Sequence, residues 1–153
     1  MNALELKIPP VLVTLIAALG MWGASLAVPS FHLSVTARAS AGAILVAVGL
    51  GIVVAGGISF RRARTTVNPT KPGSTSSLVV SGVYRFTRNP MYLGMVFALL
   101  GWASFLLNAL AFVLIPGFVV YLNRFQIAPE ERALSSLFGA EYVSYQARVR
   151  RWL

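Results

Sequence analysis

Three of the four carboxylates in this 153-residue chain sit in one short segment, at Glu130, Glu131 and Glu141. Upstream, Arg85 and Arg88 lead into Asn89-Pro90. Proline costs no hydrogen bond in the first turn of a helix, so Asn89-Pro90 reads as a helix start. The free N–H groups and positive dipole end there suit a carboxylate or phosphate. The two arginines add charge at the same place. A plain start signal with interfacial anchors, Tyr84 and Tyr92 in the aromatic belt, accounts for the same residues. In the acidic segment Pro129 suits the first helical position, and Glu130 and Glu131 suit the first turn. Leu134, Leu137, Phe138, Tyr142, Tyr145 and Val149 recur at steps of three and four, one stripe at about 100° per residue. Glu130 and Glu131 flank that stripe and Glu141 falls within it, while Arg132, Ser135, Ser136, Ser144 and Arg148 lie opposite. A carboxylate on the apolar side needs a cation or N–H donors. A zwitterion, ammonium plus carboxylate, satisfies both groups of residues. An arginine–glutamate salt bridge satisfies them without a ligand.

The elements that must position these residues are apolar. Hydrophobic residues make up 57% of the chain and charged ones 11%, against about 25% charged in an ordinary soluble domain. The mean hydropathy is +0.75. That excludes a disordered tail and argues against a soluble enzyme. With no cysteine, disulfides, zinc–thiolate sites, iron–sulfur clusters and cysteine nucleophiles are excluded. One histidine, four glutamates and no aspartate make a metal site improbable, and His32 reads as a surface residue. The net charge of +9 on so apolar a chain points to a bilayer with anionic lipids rather than to nucleic acid.

Roughly 20 apolar residues cross a bilayer. Uncharged runs cover 11–28, 40–60 and 91–107, and a shorter one reaches 109–125 if Asn123 and Arg124 snorkel. The expected fold is therefore all-α: a single polytopic membrane domain over 1–153 with four transmembrane helices. Spans 3 and 4 form a hairpin at Asn108, and an amphipathic cytoplasmic helix follows over 129–153. Pro116-Gly117 is expected to kink the fourth span or shorten its crossing. Ser25-Leu26-Ala27 resembles a signal-peptide cleavage site. The first span is read as retained, because its lead-in has no net positive charge and its apolar run exceeds the usual 7–15 residues. Every basic residue except Arg38 falls on one side of this arrangement, which places both termini in the cytoplasm. The expected location is a prokaryotic inner membrane. The substantial polar segments, 61–90 and 129–153, then share the cytoplasmic face. Within the first, Asn68-Pro69 and Lys71-Pro72-Gly73 mark a loop.

Two segments are specific in combination: GVYRFTRNPMYLG at 82–94 and, after the expected hairpin, EERALSSLFGAEYVSY at 130–145. Together they resemble the isoprenylcysteine carboxyl methyltransferase and phospholipid methyltransferase superfamily of integral membrane enzymes. The resemblance covers about half the chain. It implies S-adenosylmethionine as cofactor, which agrees with the zwitterion argument. Carried over by position, it implies a cofactor pocket of Tyr84, Arg88, Asn89, Pro90, Tyr92, Gly94, Glu130 and Glu131. Candidates for a catalytic role are Arg88, Glu131 and Tyr92. Many members have histidine where this chain has Asn89; a polar contact survives that change and a titrating base does not. The eukaryotic carboxyl methyltransferases have more spans and a longer C-terminal region, so their prenyl-protein substrate does not follow.

Methyl transfer from a sulfonium requires alignment and exclusion of water. A carboxylate acceptor needs no base, whereas an amine or phenol needs a proton acceptor. The cytoplasmic groups available are Glu130, Glu131, Glu141, Tyr84, Tyr92, Tyr142 and Tyr145. So short a set favours a nucleophile already ionised, on a lipophilic acceptor entering from the bilayer. Two other classes stay open. A small four-helix transporter normally carries a proton-coupling ionisable residue inside a span, and these spans lack acidic residues and histidine. A non-catalytic membrane scaffold explains small-residue packing at Gly49, Gly51, Gly56 and Gly57, but not the placement of the glutamates and arginines.

Overall fold

A computed structural model of the chain describes residues 5–65 and 77–153. Residues 66–76 of the expected cytoplasmic loop, Asn68, Pro69 and Lys71 among them, lie outside the described residues. Proline at the first position opens helix α1, Pro10–Ala27. Helix α2, Val35–Arg62, is capped by Ser34, whose hydroxyl accepts the N–H of Ala37 at 3.2 Å. A 3-10 turn at Gly82–Arg85 leads into α3, Pro90–Leu106. Helix α4, Ala109–Leu122, passes through a π turn at Asn123–Ile127 directly into α5, Ala128–Arg148. No strand occurs among the described residues. Three helices are long and apolar enough to cross a membrane: α1, α2 and the continuous run from Ala109 to Arg148. Helix α3 is shorter and also apolar.

The first four helices alternate in direction, as their end contacts show. At one end, Leu6 N–H donates to Phe125 C=O at 3.0 Å and Gln126 Nε2 to Ile8 C=O at 2.7 Å. At the other end, Phe31 N–H donates to Leu107 C=O at 2.9 Å and Asn108 Nδ2 to Val28 C=O at 2.7 Å. The turn between α3 and α4 is as tight as expected. Leu107 takes the left-handed conformation that ends helices (φ 50°, ψ 45°), and Asn108 caps α4 by accepting from Leu110 N–H at 3.0 Å.

A glycine seam joins α2 to α3. Gly42 faces Gly101 and Gly49 faces Gly94. A Cβ on Gly49 or Gly94 would lie 2.5 Å from the other's carbonyl oxygen, so nothing larger than hydrogen fits. Glycines seven apart stay on one face because seven residues are nearly two turns, and such faces let helices pack backbone to backbone. Gly56 continues the seam against Met91; Gly51 meets nothing. Met21, Leu99, Ala103, Ala111, Ile115, Phe118 and Leu122 form the interior, while Leu15, Leu19, Ile44, Val54, Val113 and Val120 stand exposed on the outside. Apolar residues on both sides suit a hydrocarbon surround.

The C-terminal helix departs from expectation. It stops at Arg148 and is broken at Gly139 (φ 50°, ψ −122°), a left-handed conformation that glycine adopts at no steric cost. The break resets the helical phase. Tyr142 and Tyr145 are buried, but Leu137 is 47% exposed and Glu141 is also exposed, off the apolar side where a continuous wheel placed it. Val149, just after α5, is extended, and the chain leaves the helix there.

Candidate active site

The site lies where the α3 lead-in, the first turn of α5 and the segment after α5 meet. Gly82 (φ +64°) brings the 3-10 turn against α2: a Cβ there would lie 2.6 Å from Ser59 Oγ. Tyr84 packs edge-on against Phe60, with ring centroids 5.4 Å apart. Its carbonyl accepts the Tyr145 hydroxyl at 2.7 Å. These contacts set the approach to Asn89-Pro90. Asn89 makes no side-chain cap on α3. Its Nδ2 donates instead to the carbonyl of Arg151, at 2.9 Å, so the first-turn N–H groups keep no side-chain acceptor.

Glu130 and Glu131 point to different partners. Glu130 accepts a hydrogen bond from the Tyr92 hydroxyl, and no ion pair reaches it among the described residues. Burial pushes its carboxyl up to about 8; the Tyr92 bond pulls the other way, and the Glu131 charge adds to the rise. Glu131 is enclosed by cations. Its Oε1 accepts from Arg88 Nη2 at 2.8 Å and from Arg151 Nε at 3.1 Å, and its Oε2 from Arg151 Nη2 at 2.5 Å. Arg88 also donates through Nη1 to the carbonyls of Gln146 and Val149, at 3.2 and 3.1 Å. Its Nε is buried without a partner. Burial also raises the phenols of Tyr84 and Tyr145, and that of Tyr142 to about 12 with the Glu131 charge as second cause. None of those three ionises near neutral pH. Glu141, exposed and beyond the Gly139 break, stands apart.

Of the residues expected in a cofactor pocket, Tyr84, Arg88, Asn89, Tyr92, Glu130 and Glu131 come together here. Pro90 is buried beside Gly56, and Gly94 serves the seam with Gly49. Sequence reasoning missed Arg151 and Thr87. Arg151 counted only among the basic residues that set the orientation. Thr87 is 1% exposed and donates to the Arg151 carbonyl at 3.2 Å. The arginine run at 148–151 was a signal of position alone, since nothing in it singles out the residue that folds back.

Residues 37–141 match the family described as phospholipid methyltransferase. That stretch takes in most of α2, all of α3 and α4, and the glutamate pair. The chain belongs to this family. Among curated proteins it is 48% identical over 63 residues to an uncharacterized protein of Haemophilus influenzae, covering 41% of this chain and all of that one. It is 39% identical over 83 residues to the protein-S-isoprenylcysteine O-methyltransferase of Saccharomyces cerevisiae, covering 52% of this chain and 34% of that protein. It is 39% identical over 69 residues to methanethiol S-methyltransferase 1 of Bradyrhizobium diazoefficiens, covering 44% of this chain and 22% of that one. The chain thus spans about a third or less of the length of these two named relatives. No solved structure matches it. The phospholipid methyltransferase match ends at residue 141, so the segment from Gln146 to Trp152 that closes the site lies outside it.

Proposed function

We propose that the chain is an S-adenosylmethionine-dependent methyltransferase working at the cytoplasmic surface of a membrane on a lipophilic acceptor. The observation that carries this reading is a pairing of opposite preferences. Glu130 is a carboxyl group held in a poorly solvated place with a tyrosine as partner. Close by, Arg88 keeps a buried N–H without an acceptor, and α3 keeps an uncapped N-terminus. A cation fits the first and a carboxylate fits the second. The cofactor's amino-acid end carries both charges, so the residues present fit it. Glu130, Arg88 and the first turn of α3 would hold it.

When bound, S-adenosylmethionine supplies an electrophilic methyl group on a sulfonium; the acceptor's electron pair forms the new bond as the carbon–sulfur bond breaks. The protein's share is alignment and dryness. Tyr92 orients Glu130. The phenols of Tyr84, Tyr142 and Tyr145 stay protonated and donate rather than accept protons. Glu131 is bound to two arginines and is no free base. Among the described residues this leaves Glu130 as the one carboxyl of the site without a cation, and the cofactor's ammonium would occupy it, which favours an acceptor that is ionised or readily ionised, such as a carboxylate or thiol. The named relatives act on such groups, one by O-methylation and one by S-methylation. The exposed apolar flanks of α1 and α2 suit a hydrocarbon surround, from which a lipophilic acceptor would enter. Four crossings, with 59–65, 84–94 and 123–132 at the cytoplasmic end, agree with the placement of the basic residues.

Calorimetry of S-adenosylhomocysteine binding to detergent-purified protein tests the reading. Saturable one-to-one binding, lost in Glu130→Gln, supports it. A folded protein that binds none at millimolar concentration overturns it.

A further inference from the structure

Residues 146–152 cross the site as a strap. The carbonyls of Gln146 and Val149 are held by Arg88 Nη1, and that of Arg150 by the Arg88 backbone N–H at 3.0 Å. The Arg151 carbonyl accepts from both Thr87 Oγ1 and Asn89 Nδ2. The Trp152 indole donates to Asn123 Oδ1 at 3.1 Å, fixing the far end on the π turn. Arg151 is therefore tied twice: its backbone to the α3 lead-in, its side chain to the first turn of α5. It is the link between the two segments that hold the candidate ligand groups.

We propose that Arg151 is a positioning residue: with Arg88 it fixes Glu131 and straps 146–152 across the site, which leaves Glu130 as the carboxylate that meets a cationic ligand. The ligand half of this proposal rests on the methyltransferase reading. Three donors from two guanidinium groups engage both oxygens of Glu131. A carboxylate so neutralised has little attraction left for a third cation. Among the described residues Glu130 has Tyr92 alone. The two adjacent glutamates thus divide the work: one closes the strap, the other faces the ligand. Arg151 also pairs through two nitrogens, a geometry that lysine cannot reproduce.

The test uses Arg151→Gln, Arg151→Lys, Glu131→Gln, Glu130→Gln and the Arg151→Gln/Glu131→Gln double variant, each confirmed folded by circular dichroism. Two readouts are taken: S-adenosylhomocysteine affinity, and hydrogen exchange at the Arg88 amide, which the Arg150 carbonyl protects. Arg151→Gln and Glu131→Gln are each expected to weaken binding by about 10–100-fold, the usual effect of losing a supporting partner, and to speed exchange at Arg88. The double variant should be no worse than Glu131→Gln alone, since the Arg151 contact is already lost there. Arg151→Lys should recover part of the loss. Glu130→Gln should abolish binding while exchange stays slow. If Arg151→Gln leaves both readouts unchanged, the proposal is wrong. It is also wrong if Glu131→Gln abolishes binding with Arg88 still protected, since Glu131 would then meet the ligand itself. Wild-type protein that binds no S-adenosylhomocysteine removes the ligand half together with the methyltransferase reading. Exchange at Arg88 then still decides the strap, which falls if Arg151→Gln leaves it slow.

Discussion

Glu130 and Glu131 are chemically identical neighbours, and the fold gives them opposite surroundings. The pH behaviour of Glu130 follows from this. Its folded-state carboxyl is raised from 4.5 to about 8, so between those values the folded protein holds a proton that the unfolded chain has lost. Stability is therefore full below about 4.5 and falls as pH rises through about 8. Melting of the ligand-free protein should show that decline, and Glu130→Gln should flatten it. An unchanged slope in the variant would assign the decline to another group. A cation bound beside Glu130 lowers its pKa again, so binding near neutral pH should release a proton. Calorimetry in buffers of different ionisation enthalpy reads this directly, and a buffer-independent heat would mean that Glu130 does not pair with the ligand. The residue types and spacing at 88–92 and 130–131 make this chemistry legible in the sequence. The division between the two glutamates is not legible there, because Arg151 acts from outside both motifs and only the return of the chain brings it to them.

At the scale of elements, the seam between α2 and α3 sets how closely the site's scaffold packs. Gly49 and Gly94 leave no room for a side chain. Gly49→Val should force the helices apart; overpacking of this kind costs about 1–3 kcal/mol or more, with a lower melting temperature and weaker ligand binding. Gly51→Ala, with nothing within 4 Å of the added carbon, should leave both unchanged. Equal effects at the two positions would show that the seam is not what holds α2 to α3. The sequence singled out Gly49, Gly51, Gly56 and Gly57 as a group without saying which face the helix. The seven-residue interval, Gly42-Gly49-Gly56 against Gly94-Gly101, is the discriminating pattern. The start of α3 and the Asn108 turn were also legible, because a proline and a cap mark them; α2 was expected over 40–60 and begins earlier, at Val35 behind the Ser34 cap. The apolar stripe of α5 was not. A wheel assumes constant phase, and the Gly139 break ends that assumption between Phe138 and Glu141.

At the scale of the whole molecule, the contacts of residues 5–8 with 125–132 and of 28–31 with 107–108 make the ends of the helices two separate faces. Glu5 pairs with Arg132 at 2.7 Å on the face that carries the site. The proposed orientation rests on charge placement: among the described residues Arg38 is the one arginine or lysine of the other end, and it lies over the Phe105 ring, 5.6 Å from its centroid. The cysteine-free sequence makes this orientation directly measurable. His32→Cys, Ser81→Cys and Ser144→Cys each place one thiol at an exposed position. A membrane-impermeant maleimide added to inverted membrane vesicles should label positions 81 and 144 and spare 32; added to right-side-out vesicles it should do the reverse. The pairing of 81 with 144 tests the even number of crossings between them, since an α4–α5 run that failed to return would put them on opposite sides. Labelling of 32 together with 81 from one side would mean that α2 does not cross. Either result would undo the proposed cytoplasmic site, because a cytoplasmic cofactor would reach Glu130 only if the face bearing 81 and 144 is the inner one.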